Sequence, residues 1–131
     1  MAFDAHGSYE ISIQGEVIVL SLEGSWNLEQ AKTFFEAYKP FILKQGFTRF
    51  GVLTDFRSLE GGTPDAIAYF EEISVWAMEQ GQVARAQVLD SSLKAYIVDQ
   101  ATKDKNLFAI QSFEDKDKAL DWMASLGLEI S

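Results

Sequence analysis

The chain has no cysteine, which removes disulfides, thiolate metal ligands and Cys nucleophiles at once. It has a single histidine, His6, seated before the first structured run and unsuited to the rigid seat a Ser-His-Asp hydrolase needs. No G-x-S-x-G elbow occurs, and Gly61-Gly62-Thr63 lacks the Lys of a phosphate-binding loop. Basic residues are scarce. Eleven Lys and Arg stand against twenty Asp and Glu, a net charge of −9, and that field repels phosphate backbones and anionic lipid. Nucleic acid is therefore not an expected partner. Apolar runs such as Val17 to Leu20 are far too short to span a bilayer. Met1 to Gly7 has neither a basic start nor an apolar stretch, so no signal peptide is expected and a cytoplasmic location is. With two prolines, no repeat and no low-complexity tract, nothing marks a linker.

What is present is globular. At 131 residues, 47% apolar and 24% charged, the chain has the size and composition of one domain. We read residues 1–131 as that single domain, with 1–7 a frayed N-terminus. Tyr9 to Ile13 alternates with period two, Gln14-Gly15 offers a turn, and Glu16 to Leu22 is β-branched, which predicts an antiparallel hairpin. Gly24-Ser25-Trp26-Asn27 breaks the run, and Asn27 with Gln30 opens a helix. Its stripe is Leu28, Ala31, Phe34, Phe35, Tyr38, Phe41 and Ile42, with Pro40 expected to kink or split it. Phe50 to Asp55 is the next strand. Thr63-Pro64-Asp65 then starts a second helix bearing Ala66, Ile67, Phe70, Ile73, Trp76 and Ala77. Ala84 to Leu89 reads as a strand, Ser91 or Ser92 caps a third helix through Ala101, and Leu107 to Ile110 is the last strand. Ser112 with Asp115 is expected to cap a final helix carrying Ala119, Leu120, Trp122, Met123 and Leu126.

The order β-β-α-β-α-β-α-β-α predicts an α/β domain: a mixed, mostly parallel sheet of about five strands with four helices, joined by right-handed crossovers. Such a sheet gathers its loops at the carboxyl ends of its strands, where ligands and partners dock. Trp26, Asp55, Arg57, Ser58, Asp90 and Ser112 all follow strands and are expected on that rim. Asp55 with Arg57 and Ser58 reads either as an acid with an anion clamp or as an acceptor organising its own loop. The acids Glu114, Asp115, Asp117 and Asp121 have no His or Cys among them, so a solvated helix face explains them better than a metal. No metal or other cofactor is expected. Tyr69 and Trp76 lie seven apart on the second helix and form either a partly exposed aromatic pair or ordinary core.

The opening hairpin, the strand ending Leu53-Thr54-Asp55-Phe56-Arg57, the segment Arg85 to Asp90 and the closing run Phe113 to Trp122 together resemble the STAS domain and its neighbour, the SpoIIAA-like superfamily. The closing run looks like that family's F-x-D-x-x-x-A-x-x-W helix. The resemblance runs from about Tyr9 to Gly127. It implies helices packed mainly on one side of the sheet and, for most members, no enzymatic activity. It also implies regulation through a protein partner, a kinase or a transporter-associated protein being the kinds in view, with a homodimer a further option. Anti-sigma-factor antagonists of this fold are switched by phosphorylating a Ser in an Asp-Ser-Ser-Gly motif. The matching stretch here is Glu60-Gly61-Gly62-Thr63-Pro64, without that Ser, so Thr63 and Ser58 become the phospho-switch candidates. The candidate partner-binding residues are thus Trp26, Asp55, Arg57, Ser58, Thr63, Tyr69, Trp76 and Asp90. A second reading makes the chain a carrier or sensor of a small apolar or lipid-like ligand held under the Phe-rich helices. A closed apolar pocket above about 300 Å³ would favour that reading.

Overall fold

The structure, a computed structural model, describes residues 6–90 and 109–130. Strands β1 (Ser8–Gln14) and β2 (Val17–Trp26) form the expected hairpin, with Gln14 opposite Val17. Helix α1 (Leu28–Gln45) follows, then β3 (Phe50–Asp55), a short β4 (Leu59–Gly62) and helix α2 (Pro64–Glu79). Strand β5 (Gln82–Val88) precedes β6 (Ala109–Phe113) and helix α3 (Lys116–Ser125). The sheet order is β1-β2-β3-β5-β6, antiparallel only between β1 and β2, with β4 paired to the far end of β2.

Side-chain alternation along the strands divides the core into two layers. Ile18, Leu20 and Leu22 of β2 and Val52 of β3 face α1 and α2, meeting Phe34, Tyr38, Ile73 and Ala77. Val17 of β2, Leu53 of β3 and Ala84, Ala86 and Val88 of β5 face the other way, onto Ala119 and Met123 of α3. Strand β3 is buried along its whole length because both its faces are covered. Gly51 is what lets α3 come so near. A Cβ there would stand 2.7 Å from the Met123 sulfur and 2.8 Å from Leu128 Cδ1.

Several expectations are corrected. Among the described residues the sheet has six strands, against about five expected. Strand β4 looked like a loop because Leu59-Glu60-Gly61-Gly62 has no alternation and is only four residues long. It forms because β2 is not broken at Gly24. A register shift between Gly24 and Ser25 carries β2 on to Trp26, where β4 lies parallel to it. Three helices stand among the described residues, and the helix expected from Ser91 or Ser92 to Ala101 lies outside them. Among the described residues α1 and α2 share one face of the sheet, as expected of most of the helices, while α3 covers the opposite face. Ser112 does not cap α3. It lies within β6, and the cap is Asp115, whose Oδ1 accepts from the Lys118 backbone N–H at 2.8 Å. Helix α1 runs through Pro40 without splitting; Pro40 and Glu36, whose carbonyl loses its usual donor, are both exposed residues. Asn27 caps α1 as expected, accepting from Gln30 N at 3.1 Å. The Gln30 side chain donates to the Gly7 carbonyl instead of returning to the cap.

Candidate functional site

Three parallel strands end side by side, and their following loops form a charged rim. Asp55 closes β3, Asp90 follows β5, and Asp115 and Lys116 follow β6. Asp55 is 8% exposed and holds its loop by accepting three hydrogen bonds from Arg57. The backbone N–H reaches Oδ1 at 3.0 Å, Nε reaches Oδ1 at 3.0 Å, and Nη2 reaches Oδ2 at 2.9 Å. Lys116 Nζ stands 3.8 Å from Oδ2 on the other side. Burial alone pushes the Asp55 carboxyl upward, but the Arg57 hydrogen bonds and the charges of Arg57 and Lys116 outweigh it and hold it below the usual carboxylate value. Arg57 in turn is raised by Asp55, with Asp90 and Asp115 adding to its field. Its side chain is 41% exposed, so the guanidinium also faces solvent. The loop is tied down by Phe56 N–H donating to the Val88 carbonyl and Leu59 N–H to the Phe56 carbonyl.

The start of α2 lies beside the end of β2. The Thr63 backbone N–H donates to the Trp26 carbonyl at 2.9 Å, while its hydroxyl caps the helix by accepting from Ala66 N and donating to Asp65. Ser58 is exposed, and its carbonyl accepts from Gly24 N at 3.0 Å. Asp55, Arg57 and Asp90 therefore cluster as expected, with Ser58 on the Arg57 loop and Thr63 at the head of α2.

Trp26 does not belong to this surface. It is 1% exposed and fills the core between Phe34 and Phe70, with its Nε1–H donating to the Glu23 carbonyl. Period-two alternation continues through β2 and turns the indole inward, so a residue expected to touch a partner is instead a core residue. Tyr69 and Trp76 lie elsewhere too. Thirteen residues of helix, about 20 Å, separate Thr63 from Trp76. Both rings pack edge-to-face on Phe35 of α1, at 6.0 and 5.3 Å between centroids, and are half-buried. Burial and the nearby charges of Glu72 and Glu36 raise the Tyr69 phenol.

Sequence reasoning missed Lys116 as a rim cation, and it missed the pair Arg85 and Ser74 inside the protein. Arg85 Nη2 donates to Ser74 Oγ at 2.6 Å, and Ser74 Oγ donates to the Phe70 carbonyl at 3.0 Å. Arg85 and Gln87 alternate with Ala84, Ala86 and Val88 along β5. A cation in a strand with parallel neighbours on both sides was the signal that it faces a covered surface. Both residues border a cavity of about 80 Å³ between α1, α2 and the sheet. That volume is well below the about 300 Å³ that would favour a carrier or sensor of a small apolar or lipid-like ligand. Among the described residues no three metal-ligating side chains come together, and no helix is long and apolar enough to cross a membrane.

No family model matches the sequence, and no curated protein matches it. Solved structures do. An uncharacterised protein of the DUF3478 family with a SpoIIAA-like fold, from Shewanella loihica PV-4, superposes with a TM-score of 0.69 at 17% identity, over 93% of this chain and 98% of the other. The chain has a SpoIIAA-like fold. An anti-sigma factor antagonist from Mycobacterium paratuberculosis matches at a TM-score of 0.60 and 12% identity, over 95% and 99% of the two chains. The anti-sigma factor antagonist SpoIIAA in its unphosphorylated form matches at 0.57 and 10%, over 89% and 98%. The SpoIIAA-like frame accounts for the parallel order of β2, β3, β5 and β6 and for the rim at their carboxyl ends.

Proposed function

We propose that this SpoIIAA-like chain is a non-enzymatic regulatory module that docks a protein partner through the strand-end rim and the start of α2. The observation that carries the reading is the exposed Arg57 guanidinium, anchored at one edge by Asp55 and surrounded by the charges of Asp90 and Asp115. An ion cluster pre-ordered by backbone and side-chain hydrogen bonds meets a partner without first losing side-chain freedom. Two of the similar folds are those of anti-sigma factor antagonists, which supports a regulatory reading.

A phospho-switch in this module would act at Thr63 or Ser58, both exposed. Thr63 is the better placed. A phosphate on its Oγ1 would displace the cap to Ala66 N and stand against the Asp65 carboxylate while gaining the positive end of α2. The test is affinity capture from the native cell with wild type, Arg57→Glu and Trp76→Ala as baits. The reading requires a partner retained by wild type and Trp76→Ala and lost with Arg57→Glu. Equal recovery with Arg57→Glu would refute it.

A further inference from the structure

Strand β1 stands at the end of the sheet, and among the described residues it pairs only with β2. Two observations fix which way its backbone points. Gln14 lies opposite Val17 across a two-residue turn, which makes them a hydrogen-bonded pair. The Glu16 carbonyl accepts from Gly51 N, so the even-numbered residues of β2 turn their backbone groups to β3 and the odd-numbered ones to β1. Ser8, Glu10, Ser12 and Gln14 therefore bond to β2, and the N–H and C=O groups of Tyr9, Ile11 and Ile13 point outward. The usual protections of an edge are missing: β1 has no Lys, no Pro and no bulge, and Ile13 is 39% exposed. Helix α1 lies over this edge. It runs in the same direction as β1, because it returns from the end of β2 to the start of parallel β3. Phe35 turns toward Tyr69 and Trp76 of α2, while Gln30 on the other flank donates to the Gly7 carbonyl just before β1. At helical spacing that flank continues through Thr33, Ala37 and Lys44, all exposed.

We propose that β1 pairs antiparallel with β1 of a second copy of this chain, about a twofold axis at Ile11, joining two sheets into one. A twofold contact must be self-complementary, and this strand is. Pairing about Ile11 sets Ile11 against itself and Tyr9 against Ile13 of the second copy, an aromatic and β-branched pair. The three outward residues of each strand then exchange about six hydrogen bonds. On the other face Glu10 falls opposite Ser12 and Ser8 opposite Gln14, so no like charges meet directly. The helices agree with the same axis. The Tyr9 ring meets the Phe34 ring at 5.0 Å, and the two strand residues from Tyr9 to Ile11, about 6.6 Å, match about four residues of helix. The axis thus passes beside Ala37, whose small side chain lets the two α1 helices approach. Opposite charges follow at both ends, because Lys44 of each copy is brought toward Glu29 of the other. The contact is independent of the docking rim, since no residue of the Arg57 cluster lies in β1 or α1.

The test is sedimentation of the intact protein together with disulfide cross-linking. Wild type should show a species of twice 14.7 kDa that forms reversibly with concentration. Ile13→Pro removes one outward N–H per copy and none aimed at β2, and should weaken dimerisation at least tenfold. Ala37→Glu, on exposed helix surface, should do the same without touching the strand. Lys44→Glu should weaken the dimer several-fold, and adding Glu29→Lys should restore it. Arg57→Glu should leave it intact. The chain has no cysteine, so cross-links report the register. Glu10→Cys and Ser12→Cys, mixed and oxidised, should give the mixed disulfide in clear excess over either like pair. The opposed residues stand about 4.5 Å apart at Cα, within disulfide reach, whereas like residues are diagonal at about 7–8 Å. The proposal is overturned if wild type stays monomeric up to about 1 mM, the result expected if a strand of another protein is the true occupant. It is equally overturned if like disulfides form as readily as the mixed one, if the dimer survives both Ile13→Pro and Ala37→Glu, or if Arg57→Glu abolishes it.

Discussion

Replacing Asp55 by Asn tests whether the rim is ordered by charge. The asparagine keeps the shape and one acceptor oxygen, but it loses the charge and turns an NH₂ toward the Arg57 guanidinium. Two of the three hydrogen bonds that Asp55 accepts come from that cation. Buried, charge-assisted bonds of this kind contribute about 1.5–3 kcal/mol each. Arg57 is 41% exposed, so solvent screens much of this, and we expect a net loss of about 1–2 kcal/mol at pH 7. For a domain of this length that corresponds to a fall in Tm of about 3–8 °C. The pH dependence gives a second, independent reading. The folded-state pKa of Asp55 lies below its unfolded value, because the hydrogen bonds and charges of Arg57 and Lys116 outweigh the upward push of burial. Such a carboxylate stabilises the fold above the unfolded value, near about 3.9, and loses that contribution as pH falls through the lower folded value. The stability gap between wild type and Asp55→Asn should therefore be full at pH 7 and close progressively below about pH 4. Urea unfolding followed by tryptophan fluorescence from pH 7 to pH 3 measures it. A gap that stays constant over that range, or no gap at pH 7, would refute the argument that charge holds this loop.

Four other outcomes are expected. Gly15→Ala should cost about 1–3 kcal/mol in denaturant unfolding, because Gly15 sits at φ +63 and a Cβ would lie 2.3 Å from the Glu129 carbonyl oxygen. Asp115→Ala should cost about 1 kcal/mol by removing the α3 cap, with amide exchange fastest in the first turn of that helix. Burial pushes the Tyr38 phenol far above the ordinary tyrosine range, with Arg85 opposing, so Tyr38→Phe should leave the native phenolate titration at 295 nm unchanged up to pH 11. Since its folded pKa is the higher one, the contribution of Tyr38 to stability is full below about pH 10 and is lost as pH rises beyond it. A double-mutant cycle on Phe35→Leu and Trp76→Leu should return a coupling of about 0.5–1.5 kcal/mol, the value of an edge-to-face pair, and no coupling would mean the seam adds only buried area.

Much of this architecture was legible from residue order. The hairpin followed from alternation across Tyr9 to Leu22 around Gly15, and α1 and α2 followed from Asn27, Thr63 and Pro64 at their starts and from 3.6-residue stripes behind them. These are local signals, set by backbone preference and by side-chain period within one element. The family resemblance carried the fold further than any single motif could. Strand β4 was not legible, because its partner is the end of β2, some thirty-five residues earlier, and nothing within Leu59 to Gly62 encodes that pairing. The α3 cap was misassigned between two capping residues three apart, a choice that depends on where β6 ends.

The amino-acid order by itself determined the class of fold, the strand-then-helix rhythm, the acidic character and the gathering of Asp55, Arg57 and Asp90 after parallel strands. Only the tertiary structure decided which side of each element faces inward. It buried Trp26, put α3 on the opposite face from α1 and α2, and separated Tyr69 and Trp76 from the rim by the length of a helix. It also placed Arg85, one residue of an alternating strand, on the wall of an apolar cavity. The physical reason is the same in each case. Period and capping act between neighbours in the chain, whereas inside and outside are set by what a distant element lays across that face.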